Sequence, residues 1–380
     1  MQIILNSIGF IVHAVSHLDG NWLEIAVVLI LALAVRSIPL LQSANGLFLA
    51  GICCSGFIFG INALWLYLNA IVVLLILMAI GQLKSRWVQE KSHQLLMLML
   101  VACFVTFSLQ ADPVPGFVVI LNMITFLKFL VMIWEFASGR IESVPWNVYL
   151  AWIGLPFISI FVRLSDFKSQ LDNGPVVPKP IDRAFLVDSG IRCGMIATAS
   201  LLGIIGEKIP RAGMATQLLH LYFLSPWGWY LQAAAFSGLL RNGGALSGII
   251  VPENFRSPFL STNISDFWSR WNIAGTLAFR DMLFFNRFGL PFHNVYLSSM
   301  IVFLAVGAWH SINAYWLIWG LLHGLGFCCY IAIGSKLHLG NRWWKRFMGW
   351  AVTYGFVCTC WALPPQCIKL WKAIMFESGG

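Results

Sequence analysis

The amino-acid sequence predicts an all-α protein that crosses a lipid bilayer many times. Of 380 residues, 59% are hydrophobic and only 10% are charged, against about 25% charged in soluble domains, which need that charge to stay dissolved. Apolar stretches recur along the whole chain, and a hydrocarbon core of about 30 Å takes about 20 such residues per helix. Runs such as AIVVLLILMAI are apolar on every face, without the alternation that a membrane β-barrel requires.

In chain order the stretches lie at 2–14, 22–35, 46–60, 62–80, 95–109, 117–137, 146–162, 191–206, 217–240, 297–309, 313–333 and 348–363. Several fall short of a full span, so about ten or eleven transmembrane helices are expected, with the remainder re-entrant, interfacial or merged with a neighbour. The first stretch, MQIILNSIGFIVHAV, has no Lys or Arg before its apolar run and no clear small-residue cleavage site after it, so it reads as retained protein rather than a removable signal. Between Arg241 and Leu297 the chain has no apolar span and is rich in aromatics. The chain therefore reads as one membrane-embedded domain over 1–380, and nothing in it resembles a soluble domain.

A net charge of +9 is dispersed among the loops, which fits the positive-inside bias of membrane proteins and leaves no basic stripe for nucleic acid. Arg36, Lys84, Arg86 and Lys91 share one side if 46–60 and 62–80 are two spans. Simple alternation then fails at Arg163, Lys168, Lys179, Arg183 and Arg192, which implies that 146–162 does not cross. Half-membrane elements are tolerated where they line a cavity inside protein, so an internal tunnel is expected.

Nine cysteines lie almost entirely inside apolar runs, where a thiol behaves as a small hydrophobe. No C-x-x-C or H-E-x-x-H is present, so no metal site is expected. G-x-S-x-G and G-x-x-x-x-G-K-[ST] are absent too, which removes the ordinary serine hydrolase and the nucleotide-driven pump. No internal repeat is visible to support an inverted-repeat transporter.

The remaining signal is polar side chains at membrane depth, where their cost makes function the default reading. His310 lies in FLAVGAWHSINAYWLIWGLLHG between Trp309 and Ser311, and His323 follows thirteen residues later. On one straight helix the two imidazoles stand about 20 Å apart on nearly opposite faces, so only one is expected to react. The second polar cluster, PENFRSPFLSTNISDFWSRWNIAGTLAFRD, runs from Pro252 to Asp281. Ser265 and Asp266 read as a helix start after a turn at Ser257–Pro258. On that helix Phe267, Arg270 and Trp271 lie together and Asn272 shares a face with Trp268. Each feature also has a structural reading. The segment reads equally as an amphipathic interfacial helix, His310 as a packing histidine, and Asn272 as a helix-end or interhelical hydrogen bond. Gly320 and Gly324 bracket His323 as a small-xxx-small pair for close helix approach, while Arg280 and Asp281 read as an ion-paired helix end.

These two segments resemble the membrane-bound O-acyltransferases, above all the bacterial branch that acetylates exported polysaccharides such as alginate and contains the D-alanine transfer protein of teichoic acid. ENFRSPFLSTNISDFWSRWNIAGTLAFRD is similar to that branch's Glu-Asn-Phe, Pro-Phe, Phe-Trp-x-Arg-Trp and Arg-Asp pattern. AVGAWHSINAYWLIWGLLHG is similar to its Trp-His segment followed by Trp-Gly-x-x-His-Gly. The resemblance covers a core from Pro252 to about Tyr330, or about 252–330. It implies His310 as the general base and Asn272 as its polar partner, with Trp309, Trp268, Trp271, Arg280, Asp281, His323 and Ser311 along the substrate path. Asn272 stands where the polysaccharide enzymes usually have His, and Ser311 where they have Gly; Asn is commoner in the lipid- and protein-acylating branches.

The resemblance further implies transfer of an acyl group from a thioester, acyl-coenzyme A or an acyl carrier protein, to a hydroxyl acceptor that is a glycan, lipid or small molecule. The implied location is the inner (cytoplasmic) membrane, with membrane lipids as surroundings and no tightly bound cofactor. The residue types suit that chemistry. A neutral imidazole can take the acceptor's proton near pH 7, and a carboxamide can steady an oxyanion without adding a charge. The loop SDFKSQLDNGPVVPKPIDR is either a connector or a contact for the donor's phosphates through Lys168, Lys179 or Arg183. Two other functional classes stand beside the acyltransferase: a multi-pass transporter or lipid flippase, and a non-catalytic subunit of a polysaccharide-export complex.

Overall fold

The computed structural model describes residues 21–59, 62–110, 116–155, 158, 162–172, 174–285, 294–333 and 342–376, and every long element among them is a helix. The apolar stretch at 2–14 lies outside these residues. The described residues of the apolar stretches from 22 onward fall largely on helices, except that 146–162 is helical only to Gly154. The helices are α1 (Asn21–Ser37), α2 (Ala44–Phe59), α3 (Asn62–Gly81), α4 (Arg86–Gln110), α5 (Gly116–Ala137), α6 (Trp146–Gly154), α7 (Leu164–Asp172), α8 (Arg183–Lys208), α9 (Met214–Leu219), α10 (Ser225–Leu246), α11 (Ile264–Arg270), α12 (Ile273–Phe279), α13 (Val295–His310), α14 (Ala314–Ala332) and α15 (Trp343–Phe376). Among the described residues, Arg183–Lys208 and Ala314–Ala332 are long and apolar enough to cross a membrane, and Ala44–Gly56, Leu66–Gly81 and Val295–His310 are shorter apolar helices. Large apolar side chains such as Leu75, Met78, Leu98 and Met99 stand exposed along α3 and α4.

Two compact units divide the chain, one of Met1–Val72 with Ser143–Asn254 and the other of Val73–Glu142 with Phe255–Gly380. In the first, α8 and α10 pack side by side through Ile196, Ala235 and Leu239, with Leu29 and Met195 against them. An ion network ties the same helices together. Arg192 reaches Asp188 at 3.3 Å and Glu253 at 3.1 Å, and Arg241 pairs with Asp188 at 2.7 Å and also with Glu253. Asn242 donates to Asp188 at 2.9 Å. Two cations thus meet two carboxylates, which offsets the desolvation that a lone charge in this setting suffers. Arg183 and Arg192 consequently sit on α8 rather than in the connecting loop where the charge count placed them. The loop itself is partly helical: Lys168 pairs with Asp172 at 2.6 Å on α7, and the Lys179 backbone N–H donates to the Ala245 carbonyl at 2.9 Å.

Helix α6 explains why 146–162 is a poor span. Its nine residues reach about 14 Å at 1.5 Å per residue, about half the hydrocarbon thickness. Residues Val148 to Gly154 are all buried. The Tyr149 hydroxyl donates to the Ala70 carbonyl at 2.9 Å and the Trp152 indole to the Val162 carbonyl at 2.8 Å. The polar side-chain groups of this buried stretch are thus met by backbone carbonyls of the protein.

In the second unit, α4 packs on α5, and α13, α14 and α15 pack in sequence. Glycines set the approach of α13 to α14. A Cβ at Gly320 would lie 2.5 Å from the Phe303 carbonyl oxygen, one at Gly324 2.7 Å from the Met300 sulfur, and one at Gly307 would collide with the Trp316 carbonyl. Helix α15 holds the aromatic loop before α11: the Trp350 indole donates to the Phe259 carbonyl at 2.7 Å. The Gly320→Val protein is expected to be less stable by about 1–3 kcal/mol, the range for overpacked contacts, as read from its thermal unfolding in detergent.

Candidate active site

His310 is the last residue of α13. The helix stops there because Ser311 turns to extended backbone, φ −173°. Asn313 then caps α14 by accepting the Trp316 N–H at 3.1 Å, and its amide donates to the Ser311 hydroxyl at 3.0 Å. Three residues of non-helical chain therefore separate two helices that pack on each other. The sharp return places the imidazole against the first turns of α14. It stacks on Trp316 with centroids 4.2 Å apart and planes 14° from parallel, and it also meets Trp309 at 4.9 Å and Trp319 at 6.0 Å. The ring is half-buried, as are Ser311 and Trp316. It is held by three indoles and remains reachable.

The helix break also changes the relation of the two histidines. His323 lies on α14 rather than on one straight helix with His310, and Trp319 touches both, at 4.4 Å from His323 and 6.0 Å from His310. Among the described residues no group of His, Cys, Asp and Glu could hold a metal ion.

Asn272 sits at a second break. Helix α11 starts two residues earlier than a cap at Ser265 would place it, because Asn263 caps it by accepting the Asp266 N–H at 2.8 Å. The helix ends at Arg270, which pairs with Asp266 at 2.8 Å. Trp271 is extended, and Asn272 is left-handed at φ 43°, ψ 57°. Asn272 therefore does not continue the helical face of Trp268. Only two non-glycine residues among those described have positive φ, Ser257 and Asn272, and both lie in this segment. A left-handed residue other than glycine costs about 1–2 kcal/mol, tolerated most readily by Asn, and such strain concentrates at functional sites. The carboxamide lies over Gly275, where a Cβ would come within 2.7 Å of its nitrogen. The Asn272 carbonyl accepts the Thr276 N–H at 2.9 Å and so opens α12.

Aromatic rings connect the two breaks. Trp268 meets Trp319 at 5.8 Å and His323 at 5.1 Å, and Phe279 of α12 meets Trp309 at 5.7 Å. Trp271 turns the other way, stacking on Phe267 at 5.6 Å and meeting Trp361 at 5.3 Å. Arg280 and Asp281 form an ion pair at 3.0 Å in which the guanidinium is exposed and the carboxylate largely buried, at the start of a wide helical turn in which the Phe285 N–H donates to the Arg280 carbonyl at 3.1 Å. Such turns are frequent at functional sites. Sequence reasoning missed Trp316 and Trp319 as the walls of His310. The signal available for them was Asn313, a capping residue that restarts the helix three positions before Trp316.

No protein-family model matches the chain. Among curated proteins it is 28% identical over 134 residues to the peptidoglycan O-acetyltransferase of Helicobacter pylori, covering 35% of this chain and 25% of that protein. It is 28% identical over 159 residues to the teichoic acid D-alanyltransferase of Bacillus subtilis, covering 37% and 39%. It is 31% identical over 140 residues to the probable alginate O-acetylase AlgI of Pseudomonas putida, covering 35% and 27%. The matched stretch thus spans at most 39% of these relatives' own length. By these matches the chain is similar to proteins of the membrane-bound O-acyltransferase family, the family that its two aromatic and histidine-bearing segments resemble.

Proposed function

We propose that the chain is a multi-pass membrane O-acyltransferase that moves an acyl group from a thioester to a hydroxyl acceptor, with His310 as general base. The observation that carries this reading is the half-buried imidazole at the end of α13, fixed between Trp309, Trp316 and Trp319. The relatives named as peptidoglycan O-acetyltransferase, teichoic acid D-alanyltransferase and alginate O-acetylase support it, and they favour a glycan over a lipid or small-molecule acceptor. The donor is acyl-coenzyme A or an acyl carrier protein thioester, and the location is the inner membrane. Low charge, apolar helices and exposed apolar side chains support several crossings.

In the reaction the imidazole takes the acceptor's O–H proton, and the oxygen attacks the acyl carbon as the C–S bond breaks. The same proton then passes from the imidazolium to the leaving thiolate, which balances the step. The Asn272 amide donates to the developing oxyanion, a role suited to a neutral group in a low-dielectric site. Apolar surroundings exclude the water that would otherwise take the acyl group.

The test is thioester consumption and acceptor acylation by the purified full chain with acetyl-coenzyme A. His310→Ala is expected to lower turnover by about 100- to 10,000-fold, the range for removal of a general base; unchanged turnover contradicts the role. At Asn272, glycine keeps the left-handed backbone and removes the carboxamide. Asn272→Gly is therefore expected to unfold at the parent's temperature while losing about 100-fold in kcat. Asn272→Ala adds about 1–2 kcal/mol of backbone strain, so it is expected to lose both activity and stability. Equal kcat in parent and glycine variant removes Asn272 from the chemistry.

A further inference from the structure

Beside the candidate base lies a second group of polar atoms that the reaction above does not use. His323 is 0% exposed, Trp319 3% and Trp268 8%. Their ring centroids stand 4.4, 5.1 and 5.8 Å apart, and Phe303 at 6.0 Å and Phe356 at 5.8 Å close the group with carbon. Among the described residues, both imidazole nitrogens of His323 and the indole nitrogens of Trp268 and Trp319 are buried without a hydrogen-bond partner. Four unmet polar atoms in one packed cluster are far from the rule that buried polar groups are paired. A phenylalanine at 323 would fill the same aromatic surroundings without that cost.

The donor and acceptor count points to what fits. Each indole offers one N–H and accepts nothing, while a neutral imidazole offers one N–H and one lone pair. Only one of the two diverging nitrogens of an imidazole can face a given oxygen, so the two indole N–H donors and the imidazole lone pair match an oxygen that carries two lone pairs and a hydrogen. A carbonyl oxygen leaves the imidazole lone pair unmet, and a cation faces indole N–H groups that repel it. We propose that Trp268, Trp319 and His323 form a binding site for one neutral hydroxyl oxygen, supplied by a buried water or by the hydroxyl of the acceptor. The acceptor source rests on the acyltransferase reading; the water source does not. Trp319 also touches His310 at 6.0 Å, so the site lies one indole from the imidazole that would deprotonate such a hydroxyl.

Thermal unfolding of the full chain in detergent tests the site without requiring activity, because the sign of the change differs. With an oxygen bound, His323→Phe removes one of its partners and strands the indole N–H groups, so the melting temperature is expected to fall by at least about 2 °C. In a dry cage the same change removes two unpaired nitrogens, and the melting temperature stays or rises. Trp268→Phe, which keeps a ring and loses one N–H, gives the same sign and decides the matter if His323→Phe does not fold. Cellotetraose, a neutral hydroxylated probe, separates the sources. A stabilisation of the parent that Trp268→Phe weakens by about tenfold in apparent affinity identifies the acceptor hydroxyl, whereas no stabilisation alongside the lowered melting temperatures identifies water. Unchanged or raised melting temperatures in the variants overturn the proposal. A parent chain that consumes no thioester sinks the acyltransferase reading and leaves this comparison intact.

Discussion

The stack of the His310 imidazole on the Trp316 indole, 4.2 Å between centroids, is the contact on which the rest of the site depends. It exists only because α13 ends at His310 and α14 restarts at Ala314. A continuous helix would place residue 316 about 9 Å along the axis and about 120° around the cylinder, out of stacking reach. Ser311 in extended conformation and the Asn313 cap replace that geometry with a sharp return. The glycines at 307, 320 and 324 then let the two helices lie close enough for the rings to meet. Among the described residues, three indoles pack around this ionisable ring.

The same logic recurs at Asn272. There the chain breaks between two short helices, and the backbone adopts a left-handed conformation that Asn accepts more readily than most side chains. Two helix breaks, each with a polar side chain at the end, are linked by aromatic rings. An aromatic linkage suits a low-dielectric setting, where every unpaired polar group is costly and every paired one must be paired completely. It also makes the four unmet nitrogens of Trp268, Trp319 and His323 conspicuous against their surroundings.

Much of the helical layout was legible in the sequence, because apolar runs of twenty residues admit little else. Of the charges that simple alternation could not place, two arginines belong to α8, where Arg192 pairs with carboxylates. The candidate site was legible as a set of residues but not as an arrangement. Periodicity carried Trp268 and Asn272 onto one helical face, since nothing in SRWNIAG announces that Asn272 leaves the helix at φ 43°. Likewise a 20 Å separation of His310 and His323 followed from a straight helix, and the Ser311–Asn313 break removes that premise. What the sequence could not supply is tertiary: the partners of Arg192 in Glu253 and of His310 in Trp319 follow from chain returns that no local pattern records.

In the proposed reaction, donor and acceptor meet at the ring of His310. The most direct test is a density map of the full chain bound to a thioether analogue of acetyl-coenzyme A, which cannot release its acyl group. The analogue's carbonyl is expected within hydrogen-bonding reach of the Asn272 amide, with its carbon facing the His310 imidazole. An analogue that binds in ordered fashion away from both residues contradicts it.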